Sequence, residues 1–130
     1  MAVDRDLPIL IVDDYRTMLK IVRGLLGQLG FKNVDEATDG CMAHEMISAK
    51  EKEYGLVIAD WNMQPMTGLE LLQKLRADAE TAKLPFIMIT AEAKAERVVM
   101  ARRAGVDNYI LKPFNQAVLR QKMSAVLGEL

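Results

Sequence analysis

Asp13-Asp14, Asp60, Thr90 and Lys112 are the side chains of this chain best suited to act together, although they span residues 13 to 112. Each stands at the end of a short apolar run. Asp13-Asp14 follow Ile9–Val12, Asp60 follows Leu56-Val57-Ile58-Ala59, Thr90 closes Phe86–Thr90, and Lys112-Pro113 follow Asn108–Leu111. Taken singly, each has an ordinary role: an acid or a threonine can cap the next helix, and a lysine can be solvated. Together they are harder to explain away, because three clustered carboxylates repel one another unless a cation compensates. Hard oxygen ligands with room for water suit Mg²⁺, which is commonly held by carboxylates together with a phosphate. A carboxylate can itself be a nucleophile and form an acyl phosphate. The ammonium and hydroxyl would then neutralise charge on the transferred phosphoryl oxygens. Asp60, carried by a buried run into a loop with Pro65 and Gly68, is the predicted acceptor.

These residues converge only if the elements beneath them are arranged to bring them together. The apolar runs Ile9–Val12, Asn33–Ala37, Leu56–Ala59, Phe86–Thr90 and Asn108–Leu111 read as strands. Helical patterns occupy Thr17–Leu29, Cys41–Ala49, Leu69–Ala77, Ala93–Ala104 and Ala117–Leu127. In the first of these, Met18, Ile21/Val22, Leu25/Leu26 and Leu29 recur at helical spacing, with Gly30 where a stop is expected. Ile87-Met88-Ile89 has no polar face, as in a strand covered on both sides. Strict alternation of strand and helix predicts an α/β fold, a doubly wound parallel sheet of five strands with helices on both faces. In such a sheet the carboxyl ends of the strands share one edge, where ligands bind.

Composition narrows the class further. The 130 residues suit one domain, and 51% hydrophobic with 27% charged residues excludes disorder. A net charge of -1 supplies no overall field for a nucleic acid polymer or an acidic membrane. The single cysteine, Cys41, excludes an internal disulfide and suits a reducing compartment. The apolar run before Asp13 is too short for a signal peptide or membrane span, so a soluble, cytoplasmic and monomeric protein is expected.

In order and approximate spacing, Asp13-Asp14, Asp60, Thr90-Ala91 and Lys112-Pro113-Phe114 resemble the receiver domains of two-component response regulators. "DWNM" at 60–63, "GLELL" at 68–72, "TAEAK" at 90–94 and "KPF" at 112–114 are similar to the single-domain chemotaxis members. The resemblance covers about residues 7–127. It implies a flavodoxin-like strand order 2-1-3-4-5, with Asp60 phosphorylated by a histidine kinase. It also implies Mg²⁺ held directly by Asp14, Asp60 and the backbone carbonyl of Asn62, with Asp13 acting largely through water. Lys112 and Thr90 would contact phosphoryl oxygens, Tyr109 would move inward, and Asn62 and Glu92 would tune phosphate lifetime. The implied output face includes Val98, Arg102, Tyr109 and Lys122, and its implied partner is the flagellar motor switch. A phosphatase is a further possible partner. One departure is the loop proline: the family places it four residues after the acceptor, where this chain has Gln64, with Pro65 next. A reshaped loop beside the metal is therefore expected.

The remaining signals are weaker. His44, the one histidine, is expected to be a solvated or half-buried helix residue, and Cys41 a packing residue. The nine methionines read as core fill. Trp61 is expected to be a partly exposed surface ring. Arg102-Arg103 read first as cations at a helix C-terminus. With Arg97 they could form an anion patch for a cyclic dinucleotide. A phosphate sink that drains the kinase is another alternative. A Mg²⁺-dependent aspartyl phosphatase of the haloacid-dehalogenase type would need an acid two residues after its nucleophile, where Asp13 has Tyr15 and Asp14 has Arg16. The expectation is therefore a signalling protein rather than an enzyme with an external substrate.

Overall fold

The computed structural model describes residues 3–91 and 94–130. Five strands alternate with five helices: β1 Ile9–Val12, α1 Arg16–Gln28, β2 Val34–Ala37, α2 Gly40–Ser48, β3 Leu56–Asp60, α3 Gly68–Ala77, β4 Phe86–Thr90, α4 Ala95–Ala104, β5 Asn108–Leu111 and α5 Gln116–Leu127. All neighbouring strands are parallel, in the order β2-β1-β3-β4-β5. The predicted α/β architecture and strand order are both present. β3 extends one residue beyond its apolar run, because Asp60 still pairs with Ile89 across the ladder. The carboxylate is thus fixed by the sheet and not by a loose turn.

Alternation along the strands builds two cores. Ile9, Ile11, Ile58, Ile87 and Ile110 point to one face, where Leu19, Val22 and Leu26 of α1 and Leu119 and Met123 of α5 cover them. Leu10, Val12, Val57, Ala59, Phe86 and Met88 point to the other, under α2, α3 and α4. The face of α1 is turned slightly from the expected one: Leu19, Val22 and Leu26 are buried, while Ile21 remains 45% exposed.

Helix ends follow local chemistry. A capping box, Thr67 with Glu70, starts α3. Asp39 and Asn115 accept from Met42 and Val118 N–H groups at the starts of α2 and α5. Gly30, with φ +95°, stops α1 as the sequence suggests. The contribution of α4 to the core is small: Ala101 is its one fully buried residue, and Val99 and Met100 are exposed. Its C-terminal end is held instead by Arg76. That guanidinium donates to Gly105 O at 3.0 Å and Leu84 O at 2.7 Å, and pairs with Asp107 at 3.0 Å.

Two glycines give opposite predictions. A Cβ at Gly68 would lie 2.3 Å from the Asp60 carbonyl oxygen and 2.9 Å from Met88 Sδ, whereas at Gly24, inside α1, it would meet nothing within 4 Å. Gly68→Ala should therefore destabilise the protein by about 1–3 kcal/mol. Gly24→Ala should stabilise it by up to ~1 kcal/mol, through helix propensity and a restricted unfolded chain. Urea denaturation midpoints check both signs.

Candidate functional site

The carboxyl ends of β1, β3, β4 and β5 bring the predicted residues to one edge. Asp13 follows β1 and is buried; its backbone N–H donates to Ala37 O at 3.1 Å, continuing the ladder. Its Oδ1 accepts the Tyr15 N–H at 2.9 Å. Tyr15 is the N-cap residue of α1, so Asp13 closes the turn before the helix and does not cap it. Thr90, fully buried at the end of β4, is likewise not the N-cap of α4, a position taken by Lys94. Helix capping therefore explains neither residue.

Asp60 is 7% exposed. Lys112 reaches it directly from the end of β5, with Nζ 3.1 Å from Asp60 Oδ1 and 3.6 Å from Asp13 Oδ2. The Lys112 N–H donates to Thr90 O at 2.8 Å, which fixes the backbone from which the lysine reaches. One ammonium thus serves two buried carboxylates, with Asp14 exposed beside them.

The imbalance appears in the ionisation of the acids. Burial pushes Asp13 up to about 6; the Asp60 and Asp14 charges add to this, against the Tyr15 N–H and Lys112. Asp60 is also raised, chiefly by burial and then by Asp14, although Lys112 and the Trp61 N–H pull it down. Oxygens of Asp13, Asp14 and Asp60 all lie within 4.8 Å of one another. An all-oxygen cluster short of positive charge fits a hard divalent cation, which would favour the ionised form of each acid.

Thr90 and Tyr109 share a sheet face, because Met88 pairs with Tyr109 and Thr90 with Leu111. Tyr109 is half-buried against that face's core. Val98 and Lys122 are half-buried and Arg102 exposed on their helices; Lys122 O accepts Asn108 Nδ2 at 3.2 Å, which ties α5 to β5. Glu92 lies outside the described residues. Asn62 is exposed on the loop leaving Asp60, and the Gln64–Pro65 bond in that loop is cis, as is Lys112–Pro113. His44 and Cys41 are half-buried, as expected.

Two expectations need correcting. Trp61 is buried, only 5% exposed, because it continues the alternation of Val57 and Ala59 into the core beneath α3 and α4. Its N–H still donates to Ile89 O at 3.0 Å. Arg97 does not sit free for an anion patch with Arg102 and Arg103. Its guanidinium lies 4.8 Å from the Trp61 ring centroid and donates to Asn62 Oδ1 at 3.3 Å. Gly68, placed by the sequence in the loop after Asp60, is instead the first residue of α3. Only a glycine lets the start of α3 approach the Asp60 carbonyl so closely, and a glycine just inside a capping box was the available signal.

Comparison with known proteins agrees with this geometry. The family described as response regulator receiver domain matches residues 9–124. Chemotaxis protein CheY-3 of Vibrio cholerae serotype O1 is 46% identical over 127 residues, 98% of this chain and 96% of that protein. Chemotaxis protein CheY of Pseudomonas aeruginosa is 44% identical over 118 residues, 91% and 94% of the two chains. The structure of Vibrio cholerae CheY4 superposes with TM-score 0.84 at 29% identity, covering 94% of this chain and 99% of that one. The receiver domain of a sensor histidine kinase from Pseudomonas aeruginosa PAO1, with a magnesium ion coordinated in its active site cleft, gives 0.83 at 26% identity, covering 95% and 99%.

The raised acids predict a pH dependence for the metal-free protein. A folded carboxyl held above its unfolded value binds more protons than the unfolded chain between about pH 4 and 6, so stability falls as pH rises through that window. Asp13→Asn keeps an acceptor for the Tyr15 N–H and removes the charge. It should stabilise the metal-free protein at pH 7 by about 1–2 kcal/mol, since solvent at the open edge screens part of the cost of holding a charge there. The gain should vanish near pH 4. Thermal melts across pH 4–8 in chelator check it.

Proposed function

The chain belongs to the response regulator receiver family, among its chemotaxis-type members, and from that premise we propose that Asp60 is the acceptor of a single phosphoryl group from a histidine kinase. The observation that carries this is the Lys112 ammonium, 3.1 Å from Asp60 within a cluster of acids that can hold a metal. An Asp60 carboxylate oxygen attacks phosphorus, the bond to the phosphohistidine nitrogen breaks, and the electron pair returns to the imidazole ring. Mg²⁺, when bound, supplies charge neutralisation at the phosphoryl oxygens. Asp14, Asp60 and the Asn62 carbonyl would hold it directly, with Asp13 acting largely through water. The magnesium in the cleft of the related kinase receiver supports that choice of ion.

Lys112 binds one phosphoryl oxygen as a compact cation, and Thr90 hydrogen-bonds another. Tyr109, on the same sheet face as Thr90, follows it inward. Asn62 and Glu92 set how long the phosphoryl group survives. The resulting change is read on α4, β5 and α5 through Val98, Arg102, Tyr109 and Lys122. We place the protein in the cytoplasm as a regulator whose output is the flagellar motor switch; its likeness to chemotaxis proteins over most of their length supports the chemotaxis part of that reading. The nucleotide-binding alternative is weakened, since Arg97 is engaged at Trp61 and leaves only Arg102 and Arg103 exposed together.

Incubation with a small acyl phosphate and Mg²⁺ should add one phosphoryl group by intact mass, and Asp60→Asn should abolish it. Full labelling of that variant would refute the assignment. Lys112→Ala and Thr90→Ala should still accept phosphate, at least slowly, yet bind a motor-switch peptide no better when phosphorylated. Arg102→Glu should weaken an acidic partner and flatten the salt dependence of its binding, with phosphorylation unchanged.

A further inference from the structure

Arg97 stands in the first turns of α4, yet its guanidinium engages the two residues that directly follow Asp60. It lies over the ring of Trp61, itself locked in the core, and its Nη1 donates to the exposed Asn62 side chain. Among the described residues its polar partner is this amide oxygen and not a carboxylate. A planar guanidinium can stack and donate at the same time, which an ammonium cannot. The contact therefore fixes an otherwise free carboxamide on the loop leaving the acceptor.

We propose that Arg97 is a positioning residue of the phosphorylation cycle: braced on Trp61, it holds the Asn62 carboxamide beside the acceptor and slows hydrolysis of the phosphoryl group on Asp60. In that hydrolysis a water oxygen attacks phosphorus, the bond to the Asp60 oxygen breaks, and the carboxylate is regenerated. Inorganic phosphate leaves, and the water's proton passes to it or to solvent. A carboxamide held in place shields one approach of that water; a free one spends part of its time turned away. This rests on the reading that Asn62 sets phosphate lifetime. The ring contact and one hydrogen bond together can offset the rotamer freedom lost in ordering an exposed side chain. Loss of the brace should therefore speed hydrolysis about two- to five-fold.

The full chain, labelled with a small acyl phosphate and Mg²⁺ and freed of excess donor, gives the first-order loss of phosphate. The variants are Arg97→Ala, Arg97→Lys, Asn62→Ala and the double Arg97→Ala/Asn62→Ala. Arg97→Ala should lose phosphate faster, Asn62→Ala should alter the rate, and the double variant should match Asn62→Ala alone. Arg97→Lys, which keeps the charge without the planar face, should stay faster than the parent. Trp61, the single tryptophan, should change its emission in Arg97→Ala while the denaturation midpoint of Asn62→Ala stays near the parent's.

An unchanged rate in Asn62→Ala would overturn the lifetime reading itself, and this inference with it. A changed rate in Asn62→Ala with none in Arg97→Ala would overturn the inference alone. Additive effects, or full rescue by Arg97→Lys, would show that Arg97 acts by charge and not through Asn62. Unaltered Trp61 emission in Arg97→Ala would show that the brace does not form in solution.

Discussion

The structure depends on one shortage: two buried carboxylates, Asp13 and Asp60, share a single ammonium. Everything at the sheet's carboxyl edge serves to hold that unfavourable arrangement. The ladder fixes Asp60 through its pairing with Ile89, and the Tyr15 N–H fixes Asp13. Lys112 can reach both because its own backbone is tied to Thr90. Desolvation and repulsion raise both acids, and Lys112 only partly offsets this. A fold that ends its strands in such a cluster gives up stability in the metal-free state, which a bound cation can restore by mass action.

The sequence exposed this arrangement because the residues proposed to do the chemistry also end the strands. A run of apolar residues broken by an acid marks both a boundary and a site, so Asp13, Asp60, Thr90 and Lys112 could be placed from pattern alone. Topology then brought them to one edge. What pattern could not supply was whatever depends on tertiary approach. Trp61 follows Asp60 and reads as a partly exposed surface ring, yet the strand's period of two carries it into the core. Gly68 reads as a turn former, and only the proximity of the Asp60 carbonyl shows why no side chain fits there. Arg97 reads with the other arginines by composition. Its partners lie more than thirty positions back along the chain, at Trp61 and Asn62, and no periodicity records that distance.

Helix α4 is where the site and the remaining surface meet. Its burial is slight, since Ala101 is the one fully buried residue, and it leaves Val99 and Met100 exposed. Few apolar contacts mean a low local free energy of displacement, so this element can move without unfolding the sheet. It is held at two ends by two arginines of different kinds. At the C-terminal end Arg76, belonging to α3, bonds several carbonyls and Asp107 and acts as a fixed anchor. At the N-terminal end Arg97 belongs to α4 itself and rests on Trp61 and Asn62, next to Asp60.

That asymmetry makes one attachment of the helix firm and the other weak. Arg76 satisfies three backbone oxygens and a carboxylate from a largely buried position, so releasing it would strand several polar groups. Arg97 gives up one long hydrogen bond and a ring contact, a far smaller loss. Charge added at Asp60 would fall next to the weaker of the two attachments. If charge at Asp60 and a partner on α4 both bias that attachment, linkage makes the effect of each on the other equal. The geometry needs no extended pathway for this, because Asp60, Trp61 and Asn62 are consecutive in the chain and Arg97 spans the remaining gap to the helix.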